Sequence, residues 1–191
     1  MNLGKRCVVE EQVSCDVQPK GEQLKETVIG DDAHIRSHTV IYAGNTIGKH
    51  FQTGHGALIR EQNSIGDDVS VGSHSVVEHH VTIGNGVRIH SQAFVPEFSV
   101  LKDGCWIGPN VVLTNALYPK SKNAKKELKG VVVEQNAKIG ANATILPGVV
   151  IGKNCLVGAG SVVVKNVPAN SVVVGSPARV IKKISELSAY D

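Results

Sequence analysis

The chain has 191 residues, 41% apolar but only 4% aromatic, with 20 basic and 17 acidic side chains and a net charge of +3. That length supports one domain with a sizeable core, and the core has to be aliphatic. The charge is too mild for a nucleic-acid partner, no apolar run approaches the ~18 residues of a membrane span, and the opening MNLGKRCVVEE lacks a signal peptide's apolar stretch, so a cytoplasmic location is expected.

A six-residue period organises almost all of the chain. A first phase covers Leu3, Val9 and Cys15, and an insertion around 18–26 separates it from the main run. From Ile29 to Leu113 a step of six meets fifteen residues, fourteen of them aliphatic, with Thr53 the exception. Glycine often follows (Gly30, Gly48, Gly66, Gly84), and a small or β-branched residue often comes four later (Ala33, Thr39, Ala57, Val69). The phase breaks after Leu113 and resumes at Val133, so 114–132 must loop out; the second run ends at Val163. Each unit is a short strand plus a turn, because the aliphatic residue and the small one four later share a face under period-2 alternation. One unit cannot bury that face alone, whereas units wound into coils can, each coil roofing the next. The pattern predicts an all-β parallel solenoid forming a single domain over 1–191.

Beyond the second run the text changes. Pro168 and Pro177 end the coil pattern, and Val180, Ile181, Ile184 and Leu187 have helical spacing with Lys182 and Lys183 on the other side. This predicts a cap over 166–191 that contains a short amphipathic helix closing the open sheet edge. Cys7, Cys15, Cys105 and Cys155 show neither a CxxC pair nor zinc spacing and read as small hydrophobes inside the solenoid.

The units resemble the hexapeptide repeat, [LIV]-[GAED]-x-x-[STAV]-x, of the left-handed parallel β-helix family. The resemblance implies triangular coils of three units each, about eight coils in this chain, and a homotrimer. The stretch GAGSVVVKNVPANSVVVGSPARVI resembles the end signature of hexapeptide acyltransferases that use acetyl-coenzyme A. It implies that backbone groups near Ala141, Ala159 and Gly160 bind the pantetheine arm and that Lys165 and Arg179 lie near the nucleotide phosphates. CWIGPNVVLTN followed by Tyr118 resembles a segment of acyltransferases acting on nucleotide-linked amino sugars, which implies a substrate-binding role for Asn115 and Tyr118. Lys120, Lys122, Lys125, Lys126 and Lys129 make this loop basic, suited to a phosphate-bearing ligand.

Two adjacent histidines gain meaning from the coil. Residues 18 apart stack in neighbouring coils, roughly 4.8 Å apart, so Glu61, His79 and Glu97 fall in one column and Gln62, His80 and Phe98 in the next. Both columns lie at a turn, hence at a corner of the triangle. An imidazole held by a carboxylate can accept a proton, as acyl transfer to an amine requires. Val77, Glu78, His79, Ile83 and Gly84 also resemble a segment of bacillosamine-type and sialic-acid-pathway acetyltransferases, which implies that His79 is the general base; the column gives it Glu61 or Glu97 to orient it, and His80, where that family often has an acid, is expected at the substrate. The other reading is a metalloenzyme. TGHGALIR resembles a segment of γ-class carbonic anhydrases, and His38, His74 and His79 could supply ligands across a subunit interface, but Arg60 stands where a ligand histidine belongs. The reading that follows is an acetyl-coenzyme A-dependent N-acyltransferase acting on a nucleotide-linked amino sugar, with no metal ligands expected.

Overall fold

Short strands, most of them two residues long, fall where the six-residue pattern places its aliphatic side chains. They are dealt in turn to three sheets of eight, ten and eight strands, and residues 1–190 are described by the computed structural model. Each strand pairs in parallel with those one coil before and after it: Ser64–Ile65 lies between Thr46–Ile47 and Thr82–Ile83. The result is a parallel β-solenoid of about eight turns.

The inward aliphatic residues form one continuous column of core. Ile35, Ile41, Ile59, Ile107 and Ile139 are all fully buried, and each such side chain stabilises the fold by about 1.5–3 kcal/mol. Some inward positions are polar and are satisfied by the next coil. Asn45 Oδ1 accepts from the Asn63 amide at 2.9 Å, and Asn63 Oδ1 accepts from the Val81 amide at 2.7 Å. The corners demand left-handed backbone. His38, His50, His74 and His80, half of the chain's eight histidines, have φ between 55° and 62°. Asn, Asp and His tolerate that region better than other side chains with a Cβ, so local turn geometry alone accounts for a histidine at these positions.

The parallel pairing continues beyond both insertions, with a register shift between Ser14 and Val17 where the first one begins. Asn2 pairs with Val28 across the first, and Val100 with Val132 across the second. The second insertion is a loop with one 3-10 turn at Ala124–Lys126, and the coil resumes with the strand Val132–Val133. All five of its lysines are exposed, and none forms an ion pair among the described residues.

The end cap differs from expectation. Ser171–Gly175 extends the ten-stranded sheet in parallel, and Ala178–Lys183 returns antiparallel to it as a hairpin. Val180 and Ile181 are therefore strand residues, each 53% exposed, rather than one face of a helix. The reason is local. Gly175, at φ 100°, turns the chain, and the β-branched Val180 and Ile181 suit a strand once a sheet edge is waiting. Only single-turn 3-10 segments follow, at Ile184–Glu186 and Ser188–Tyr190. Cys105 and Cys155 are buried as expected, while Cys7 and Cys15 are half-buried and none is paired. Burial pushes the Cys105 thiol up to about 12, which leaves it inert. No helix among the described residues is long and apolar enough to cross a membrane.

Candidate functional site

The corner between the third and first sheets carries the densest set of reactive side chains. Its turns join Leu58–Ile59 to Ser64–Ile65, Val76–Val77 to Thr82–Ile83, and Phe94–Val95 to Val100–Leu101. Stacking in register lines up Glu61, His79, Glu97 and then Asn115, the residue expected at the substrate, which continues the same column. The strand register carries that edge on through Pro147 to Lys165.

Contacts within the column divide it in two. His79 Nε2 lies 3.3 Å from Glu97 Oε1, and the other oxygen of Glu97 accepts from Asn115 Nδ2. Glu61 turns away from His79. Both of its oxygens accept from Arg60, from Nε and Nη2, each at 2.8 Å. Arg60 also reaches Glu78 at 3.4 Å and lies 4.9 Å from the centre of the Tyr42 ring. Burial pushes the Glu61 carboxyl up, but the bonds from Arg60 and their charge outweigh it, so the group sits below its ordinary value. Of the two carboxylates proposed to orient His79, Glu97 makes the contact and Glu61 does not. On its other side His79 Nδ1 meets His80 Nδ1 at 2.7 Å, and Phe98 packs against both rings.

Glu78, His79 and Glu97 each bring one donor atom within 4.8 Å of the others. The chemistry of the cluster already includes a cation, since Arg60 bonds Glu78, and His79 uses both ring nitrogens. His38 and His74 lie on a different edge, between the second and third sheets, with Gly56 stacked between them. The three histidines of the metal reading therefore do not converge within one chain.

The residues expected to bind the cofactor also separate by edge. Ala141, Ala159 and Gly160 stack on the edge between the second and third sheets, where the Gly160 amide donates to the Ala141 carbonyl at 2.8 Å. Arg179 sits on the terminal hairpin of the second sheet, exposed, with Nη1 donating to the Ala178 carbonyl. Lys165 instead lies on the His79 edge. Beside Asn115 a cavity of about 480 Å³ opens between the loop and the coil, lined by Leu117, Tyr118, Lys126 and Lys129 on one side and Pro147 and Gly148 on the other.

Residues 64–97 and 130–165 match the family model of the bacterial transferase hexapeptide (six repeats). Both stretches carry the hexapeptide repeat. Over 82 residues, 43% of its length, the chain is 55% identical to a 2,3,4,5-tetrahydropyridine-2,6-dicarboxylate N-acetyltransferase of Halalkalibacterium halodurans, and over the same span 45% identical to its counterpart in Alkaliphilus metalliredigens. The match covers about a third (32%) of each relative. Among solved structures, the polySia specific acetyltransferase NeuO shares the fold at TM-score 0.60 and 18% identity, covering 95% of this chain and 85% of that one. LpxA, a UDP-N-acetylglucosamine acyltransferase from Bacteroides fragilis, does so at TM-score 0.59 and 16% identity, covering 94% and 69%.

Proposed function

We propose that this protein is an acetyl-coenzyme A-dependent N-acetyltransferase whose acid–base group is the His79–Glu97 pair. The observation that carries the reading is the column itself: an imidazole with a carboxylate on one ring nitrogen, followed by an amide side chain and a cavity along a single edge. An acceptor amine arrives as an ammonium and has to lose a proton before nitrogen attacks the thioester carbonyl. The Glu97 carboxylate stabilises the imidazolium that results. Alignment of thioester and amine supplies much of the remaining rate. Relatives with locally high identity are N-acetyltransferases, which supports the reaction class.

Donor and base lie on different edges of one prism. Ala141, Ala159 and Gly160 are on the second-to-third edge, and His79 is on the third-to-first. A second copy that sets one edge against the other completes the site, which is the physical reason to propose a homotrimer with the pantetheine arm in the groove between subunits. Lys165 and Arg179 then meet the nucleotide phosphates from the two sides. Dependence on acetyl-coenzyme A fits a cytoplasmic protein.

The acceptor in this reading is an anionic amine. Lys126 and Lys129 line the cavity beside Asn115, and Leu117 and Tyr118 supply an apolar wall for a base or ring. A nucleotide-linked amino sugar fits that combination. A second reading, a small cyclic dicarboxylate, is favoured by the relatives' own substrate. The test is free-thiol release from acetyl-coenzyme A with a panel of both acceptor types. Release that requires a nucleotide-linked amino sugar supports the first reading, release with the dicarboxylate alone replaces it with the second, and none with any amine overturns acyl transfer.

A further inference from the structure

The hydrogen bond between His79 and His80 fixes which nitrogen can take a proton. Two Nδ1 atoms 2.7 Å apart can bond only if one carries hydrogen and the other a lone pair. Glu97 decides which: its carboxylate lies 3.3 Å from His79 Nε2, and a negative charge beside that nitrogen favours hydrogen there over a lone pair in neutral His79. His79 Nδ1 is then the acceptor and His80 Nδ1 the donor. The lone pair of His80 is left on Nε2, which has no partner among the described residues, on a side chain that is exposed while His79 is half-buried. His79 itself has no free lone pair to offer.

We propose that His80 is the group that touches the acceptor amine, and that His79 and Glu97 act through it as a proton relay. This rests on the acyl-transfer reading above. The substrate ammonium gives its proton to His80 Nε2, and in the same step the hydrogen on His80 Nδ1 passes to His79 Nδ1. The amine keeps the electron pair of the broken N–H bond and attacks the thioester carbon; the C–S bond then breaks, and the departing coenzyme A thiolate takes the second proton from the new amide nitrogen and leaves as the thiol. The positive charge ends on His79, which then holds hydrogen on both nitrogens and faces Glu97. The other charged groups around the pair are already committed: Glu61 and Glu78 are bonded to Arg60, and the remaining oxygen of Glu97 to Asn115. Phe98, 5.8 Å from His80 and 6.1 Å from His79 between ring centres, holds the two rings in place. The left-handed backbone of His80, at φ 56°, aims the ring outward from the corner.

Nitrogen-15 NMR of the free wild-type protein at alkaline pH reads the tautomers without any assay. The relay requires hydrogen on Nε2 of His79 and on Nδ1 of His80, and hydrogen on Nε2 of His80 overturns it. His80→Asn keeps a side chain that tolerates the left-handed turn and can still donate to His79 Nδ1, but it cannot carry a proton. Its turnover should fall at least about tenfold, with melting temperature and coenzyme A affinity unchanged, and the rate should regain its pH dependence when imidazole is added. An unchanged rate in His80→Asn would overturn the proposal. An inactive wild type would refute acyl transfer instead, and the tautomers would still decide whether the pair is wired this way.

Discussion

Two columns of side chains on the same prism work in opposite ways, one bonding the backbone and the other bonding side chains. At the corner between the first and second sheets, Asp31, Asp67, Asn85 and Asp103 each accept from a backbone amide one coil before, at 2.8 Å throughout. These side chains are spent on knitting coil to coil. At the His79 corner the side chains bond other side chains: Arg60 with Glu61, Glu97 with His79 and Asn115, and His79 with His80. None of these bonds is spent on the backbone, and the ring nitrogen left facing a ligand is Nε2 of His80, on an exposed side chain. The difference separates a structural column from a chemical one even though the residue types overlap.

Changes at the two corners should therefore part company. His79→Ala should lower turnover by about a hundredfold or more, read in steady-state kinetics, with little change in coenzyme A affinity; an undiminished rate would remove the distinction. Asn63→Ala, at the inward position of the same corner, should cost about 2 kcal/mol in denaturant unfolding, because it strands the Val81 amide and the Arg60 carbonyl. Glu61→Gln tests the Arg60 pair through pH. The Glu61 carboxyl is held below its ordinary 4.5, so its contribution is full above that value and is lost as pH falls through the folded value. The variant should melt about 2–4 °C below wild type at neutral pH, and the gap should close on acidification. Asp67→Ala, at the knitting corner, should give the smallest effect: a slightly lower melting temperature with turnover unchanged.

Most of the fold was legible because a solenoid makes long-range contacts periodic. The six-residue phase locates the inward strand positions, both insertions and the Glu61–His79–Glu97 column, which the structure extends to Asn115. The end cap was not legible from spacing, since Val180, Ile181, Ile184 and Leu187 fit a helical period. What decided their structure was a vacant sheet edge, a tertiary fact that period counting does not contain. The column's internal wiring was hidden for a different reason. Stacking puts both Glu61 and Glu97 one coil from His79, and only the side chain of Arg60, one residue before Glu61, decides that Glu61 turns away. In the sequence Arg60 stands out only as an arginine where a ligand histidine belongs. The His79–His80 bond likewise depends on the turn conformation at His80 and had no spacing to announce it.

Acceptor-dependent thiol release followed across pH, in wild type and in His79→Gln, tests the chemical corner most directly. A rate that rises with loss of one proton in wild type and becomes flat and low in the variant is the predicted result. A variant that keeps both the rate and the same rising limb would contradict it, and would show that the proton does not end on His79.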